Sequence, residues 1–189
     1  MRVHALDACQ LLGLDKRFKY VVGSIEKLAE LASLCRNPGL TKTKLLRWMI
    51  FNILVGNSDA HLKNLSFIVK NKGYELAPYY DLLSTASYDS LAYEKTVWPQ
   101  ATTLAWPVLG VRRFEEINHQ KIIEIGKCLG LSAFATHRTL DQMIDKIQTV
   151  AQKIYTEIEQ ENQQLALERP QLNASFAGEL KCLRIIRYN

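Results

Sequence analysis

The chain is 189 residues long, 48% hydrophobic and 23% charged. That balance excludes intrinsic disorder and collagen-like repeats, and at this length one domain buries roughly 70% of its unfolded surface. Lys and Arg number 24 against 19 Asp and Glu; the surplus is scattered rather than gathered into a stripe, which argues against direct nucleic-acid binding. The longest apolar stretch, Trp48 to Gly56, is interrupted by Asn52 and falls short of the roughly 20 residues that cross a bilayer, so no membrane contact is expected. Met1 to Asp7 has no continuous apolar core behind its positive charge, so it does not read as a secretory signal, and the expected compartment is the cytoplasm. Cys9, Cys35, Cys128 and Cys182 are too widely spaced for any Cys-x-x-Cys pair. Reduced, mostly buried thiols are expected.

In chain order, Leu6 to Leu12 reads as a short helix closed by Gly13. Ser24 caps a second helix with Ile25, Leu28, Leu31, Ala32 and Cys35 on one side, ended by Asn37-Pro38-Gly39. Thr41 is the expected cap of a third, which is apolar over a wide arc through Leu45, Leu46, Met49, Ile50, Ile53 and Leu54 and should lie deep in the core. A polar loop follows. The alternating run Leu65 to Val69, a turn at Asn71-Lys72-Gly73 and an extended Tyr74 to Leu76 predict a small hairpin. This is the one clear β signal. Ser84 to Arg113 loses periodicity and carries Pro99 and Pro107, which predicts an irregular surface loop. Asn118 caps a helix ending at Gly130, and Ser132 opens a long helix with an apolar stripe from Leu140 to Ile158, read as core packing rather than a coiled-coil seam. Pro170 breaks it, and Ala174 to Ile186 forms a final amphipathic helix. With no repeat and no domain-scale linker, residues 1–189 are read as one mainly α (α+β) domain with one small hairpin.

The chemistry concentrates in Gly56-Asn57-Ser58-Asp59-Ala60-His61-Leu62-Lys63-Asn64 and, past the hairpin, in Ala77-Pro78-Tyr79-Tyr80-Asp81. A hairpin returns the chain to its start, so Asp81 should lie beside Asp59 and Asn64. An Asn amide and an Asp carboxylate suit Mg²⁺, which takes hard oxygen ligands and shares them with substrate phosphates. The second Asp can accept a proton. Asp59 as base, Asn64 and Asp81 as metal ligands and Lys63 facing a phosphate would fill the parts that phosphoryl transfer requires, at the Asp-x-x-x-x-Asn spacing of a kinase catalytic loop. Turn chemistry offers a plainer account: Asn57, Ser58 and Asp59 follow a helix end, and Asn64 could simply cap the strand. His61 has no second His within ligand spacing and fits packing or loop hydrogen bonding better than metal binding. Tyr79 and Tyr80 read as wall residues.

Asn57 to Asn64 together with Pro78-Tyr79-Tyr80-Asp81 resemble the catalytic and metal-binding segments of the HipA-like serine/threonine kinases, the toxins of bacterial toxin–antitoxin pairs. His4 to Gly13 is similar to the family's segment just past the hinge between the two lobes, and weaker likeness runs through the helical remainder. The resemblance implies a kinase-like C-terminal lobe. By it, Asp59 is the catalytic base, Asn64 and Asp81 bind Mg²⁺ and hence ATP, and His61 and Lys63 are the motif residues between them. It also implies a protein substrate and a HipB-type antitoxin as partner. The family's N-terminal lobe supplies a glycine-rich loop and a strand lysine. The nine glycines here form no Gly-x-Gly-x-x-Gly, so the expectation is a C-lobe that needs an N-lobe from elsewhere to bind ATP tightly and transfer phosphate. A catalytically inactive lobe that binds protein is the second reading. A metal-dependent nuclease using Asp59 and Asp81 is a third, and it leaves Asn64 without a role.

Overall fold

The computed structural model describes residues 3–88 and 102–188. Its elements are β1 (Ala5–Asp7), α1 (Ala8–Leu11), α2 (Ile25–Ser33), α3 (Pro38–Leu54), β2 (Ser66–Lys70), β3 (Gly73–Leu76), β4 (Thr103–Val108), β5 (Val111–Arg113), α4 (His119–Cys128), α5 (Ala133–Glu168) and α6 (Asn173–Tyr188). The fold is mainly helical with small antiparallel sheets, as the sequence implied.

Helix α3 is the axis of the core. Leu45, Leu46, Trp48 and Ile50 are at most 1% exposed, and α2, α4 and the first turns of α5 close around them through Leu28, Leu31, Ile122, Ile125 and Leu140. Each such side chain contributes roughly 1.5–3 kcal/mol when removed from water. The helix starts earlier than Thr41 because Asn37 caps it, its Oδ1 accepting from the Leu40 amide at 3.0 Å. Pro38 occupies the first turn, where its missing N–H has no partner to lose. Thr41 is internal, and its hydroxyl donates back to the Asn37 carbonyl at 2.9 Å.

The predicted hairpin is β2–β3, in register Phe67 to Leu76 and Lys70 to Gly73, and Gly73 sits at φ +90° as the turn requires. A strand the sequence reading took for helix joins it: β1 pairs antiparallel with β2, Leu6 opposite Phe67. Only Ala8–Leu11 of the expected first helix is helical, capped by a reciprocal Asp7–Gln10 box. The expected irregular segment, Ser84 to Arg113, holds a 3-10 turn at Thr85–Tyr88 and a second hairpin, β4–β5, that buries Trp106 and Val108. Its middle, 89–101, lies outside the described residues. Pro107 is tolerated because, among the described residues, β4 pairs only with β5. The thiols are free, but only Cys9 and Cys35 are buried; Cys128 is exposed. Among the described residues, no helix is long and apolar enough to cross a membrane.

Candidate phosphoryl-transfer site

The loop between α3 and β2 is held open by a ladder of amides rising out of the buried helix. Asn52 Nδ2 donates to the Trp48 carbonyl at 2.8 Å, and Asn57 Nδ2 donates to Asn52 Oδ1 at 2.8 Å and to the Asp81 carbonyl at 3.4 Å. Asn57 Oδ1 accepts the Asp59 amide at 3.0 Å, and Asn64 Nδ2 donates to the Asp59 carbonyl at 2.8 Å. Asn52, Asn57 and Asn64 are all buried, so each amide sits where an unpaired polar group would cost about 1–3 kcal/mol. The polar residue that interrupts the apolar face of α3 thus begins the scaffold of the loop.

That scaffold ties the backbone of residues 59 and 81 to the side chains of Asn57 and Asn64. Because Asn64 spends its NH₂ on Asp59, its Oδ1 is the atom left to meet a cation. Asp81 sits at φ +55°, the left-handed region, pinned through its own carbonyl by Asn57. Its side chain is exposed and makes no ion pair among the described residues. The segment beyond it clips back to the loop: Thr85 Oγ1 accepts the Ser58 amide at 2.7 Å and donates to the Gly56 carbonyl at 2.9 Å. From the other side, Trp106 Nε1 donates to the Ala60 carbonyl at 3.1 Å.

His61 is 7% exposed, and its environment orders the charges around it. Burial first, and the Lys19 ammonium second, push its pKa below 6.5, while Asp59 and Asp81 pull it upward. Both carboxylates therefore act on one imidazole. Lys19 Nζ lies 2.9 Å from His61 Nε2; an ammonium only donates, so Nε2 accepts and the ring proton sits on Nδ1. Nδ1 is buried and has no hydrogen-bond partner among the described residues. Tyr20 donates its hydroxyl to Asp59 Oδ1 at 2.5 Å and sets its ring edge-on to His61, centroids 5.0 Å apart. The Asp59 carboxylate raises the Tyr20 phenol to about 12.

Lys63 is not brought to this group. Its ammonium is held by Asp7 Oδ2 at 3.1 Å, on the N-terminal cap of α1, and Asp7 raises its pKa. Tyr80 donates its hydroxyl to the Lys63 carbonyl, and Tyr79 donates to the Lys44 carbonyl at 2.7 Å. Burial raises the Tyr79 phenol to about 12. Both tyrosines brace the frame. Lys19 and Tyr20 were missed by sequence reasoning; they follow a 3-10 turn at Lys16–Phe18 with no periodicity to mark them.

Among the described residues no cluster of three or more His, Cys, Asp and Glu stands in metal-holding geometry. A divalent cation at Asn64 and Asp81 would instead have one amide oxygen and one carboxylate from the protein. That donor set fits Mg²⁺, which completes its shell with water and phosphate oxygens.

Residues 1–154 match the HipA-like C-terminal domain, and the chain belongs to that family. Over 103 residues it is 39% identical to the serine/threonine-protein kinase toxin HipA of Shewanella oneidensis, a match covering 47% of this chain and 24% of that protein. The putative kinase Y4mE of Sinorhizobium fredii is 40% identical over 95 residues, 48% of this chain and 23% of the relative. These matches span about a quarter of each curated relative. A solved structure of the Shewanella oneidensis toxin–antitoxin system, HipA with HipB and operator DNA, superposes at a TM-score of 0.70 and 28% identity, covering 100% of this chain and 44% of that one.

Proposed function

We propose that this chain is the catalytic lobe of a serine/threonine protein kinase, moving the terminal phosphate of ATP to a protein hydroxyl when a lobe bearing the glycine-rich loop and strand lysine completes the site. The observation that supports the reading is the amide ladder, in which Asn57 accepts the Asp59 amide and donates to the Asp81 carbonyl while Asn64 donates to the Asp59 carbonyl. Asp59 takes the proton of the attacking hydroxyl. Asn64 and Asp81 hold Mg²⁺, which supplies positive charge to the phosphate oxygens. His61 stays neutral and packs the loop. The nine glycines of this chain contain no phosphate-binding pattern, so those parts come from elsewhere, in the same polypeptide or in trans.

A HipB-type antitoxin is the partner this reading carries, supported by the complex in which the structural neighbour was solved; the proposed compartment is the cytoplasm. The test mixes the chain with ATP, Mg²⁺ and a protein substrate, with and without the N-terminal lobe of a HipA-like kinase. Phosphate transfer by the completed pair, lowered by about 10²-fold or more in Asp59→Asn, supports the kinase. No transfer under any pairing overturns it and leaves the lobe as a protein-binding module.

A further inference from the structure

A transferring phosphoryl group carries charge on three oxygens, and a site of this kind needs a fixed cation facing it besides the metal. The loop's own lysine is committed elsewhere: Lys63 is ion-paired to Asp7. We propose that Lys19, reaching in from the segment between α1 and α2, is the cation that meets the phosphate, and that Tyr20 beside it positions Asp59. This assignment rests on the phosphoryl-transfer reading of the site.

Several contacts fix that ammonium. The Lys19 carbonyl accepts the Leu62 amide at 3.3 Å, tying its backbone to the catalytic loop. Nζ donates to His61 Nε2 at 2.9 Å and stands 4.7 Å from the centroid of the Tyr20 ring. Tyr20 in turn is anchored on Asp59 Oδ1. The Lys19 ammonium is therefore placed against the imidazole that the Tyr20 ring meets edge-on, and Tyr20 is the residue bonded to Asp59. An ammonium has three donors and His61 takes one. No carboxylate among the described residues pairs with Lys19, so its charge is unspent, unlike that of Lys63. A buried His61 serves here as the acceptor that orients the ammonium.

In the transfer itself, the bond from the terminal phosphorus to the leaving oxygen of the nucleoside diphosphate breaks and a bond to the substrate hydroxyl oxygen forms. The hydroxyl proton passes to Asp59, and Tyr20 holds the other carboxylate oxygen so that the accepting one faces the hydroxyl. Lys19 forms no covalent bond; it balances charge on the moving phosphoryl oxygens.

The test separates charge from packing. Binding of Mg²⁺ with inorganic tripolyphosphate to the 189-residue chain is measured by calorimetry for the parent, Lys19→Gln, Lys19→Met and Lys63→Met, with circular dichroism confirming the fold. Gln keeps a donor toward His61 and removes the charge. Lys19→Gln and Lys19→Met are expected to weaken binding at least tenfold, and Lys63→Met less than threefold. In the chain completed with an N-lobe, Lys19→Gln should lower kcat by about 10²-fold, and Tyr20→Phe should lower kcat while leaving the KM for ATP and the tripolyphosphate affinity near the parent values. Parent-like tripolyphosphate affinity in Lys19→Gln, dependence on Lys63 instead, or no binding by the parent chain would each overturn the assignment. Lys19-dependent binding without any transfer by the completed pair would leave the phosphate site standing and sink the kinase reading alone.

Discussion

At the scale of single residues, the loop works by giving each side chain one partner and leaving one atom over. Asn64 spends its NH₂ on Asp59 and keeps its oxygen; Asp59 gives one oxygen to Tyr20; His61 gives Nε2 to Lys19. The last of these has a pH consequence. With its folded pKa held below 6.5 by burial and by Lys19, His61 takes up a proton on unfolding at pH values between that lowered pKa and the ordinary one. The unfolded state then binds more protons, so the contribution to stability is complete above pH 6.5 and is lost as pH falls through that value toward the lower folded pKa. Urea midpoints should drop between pH 7 and 5, and His61→Gln, which keeps an acceptor for Lys19 and does not titrate, should remove most of the drop. The other three histidines, His4, His119 and His137, are exposed. An identical slope in the variant would contradict the burial of a neutral ring. That Asn57 and Asn64 would tie together the chain at residues 59 and 81 could be read in part from the sequence, because those positions are local or separated by one short hairpin. Lys19 and Tyr20 could not, since a coil position 42 and 39 residues from its partner leaves no periodic trace.

At the scale of elements, helices announced themselves through caps and apolar spacing: Ser24, Asn118 and Ser132 each accept a backbone amide from the residue three places on. The second hairpin did not, because Pro107 reads as a breaker and one partner strand leaves little alternation to see. Yet β4 matters to the candidate site, since Trp106 both fills the core and donates to the Ala60 carbonyl inside the loop between α3 and β2. Gly23 makes this possible: a Cβ there would stand 2.5 Å from the Trp106 ring. Gly23→Ala should therefore destabilise the fold by about 1–3 kcal/mol through overpacking, and it should loosen the loop at Ala60 as Trp106 moves. Gly39→Ala is the control, because a Cβ there meets nothing closer than 4.0 Å. Urea unfolding gives the stability, and amide exchange at 59–62 gives the local effect. Equal stability for the two alanines would mean that β4 can shift without strain.

At the scale of the whole molecule, packing density divides unevenly along the chain. The buried cluster runs from Ala8 to Leu140, and residues 1–154 are those the family shares, whereas α5 continues to Glu168. Beyond Leu140, α5 buries only Ala151 and Asn162. Its far half leans on α6 through polar contacts, Asn162 Nδ2 to Glu179 Oε2 at 3.3 Å and an Arg184 guanidinium nitrogen to the Tyr155 hydroxyl at 3.1 Å. Two helices joined by such contacts, with exposed Ile154 and Leu167 beside them, gain less from burial than α3 does. They should open without the rest of the fold. Native-state hydrogen exchange is expected to give the amides of Leu45 to Ile50 the full free energy of global unfolding. Residues 155–168 and 176–186 should exchange through local openings on the order of several kcal/mol cheaper. Because α6 also packs beside the Thr85–Tyr88 turn, and Thr85 clips the loop between α3 and β2 at Gly56 and Ser58, the Gly56 and Ser58 amides should follow the global set if the loop is held by α3. If they follow α6 instead, the frame of the site depends on the helical hairpin and not on the amide ladder rising from Asn52.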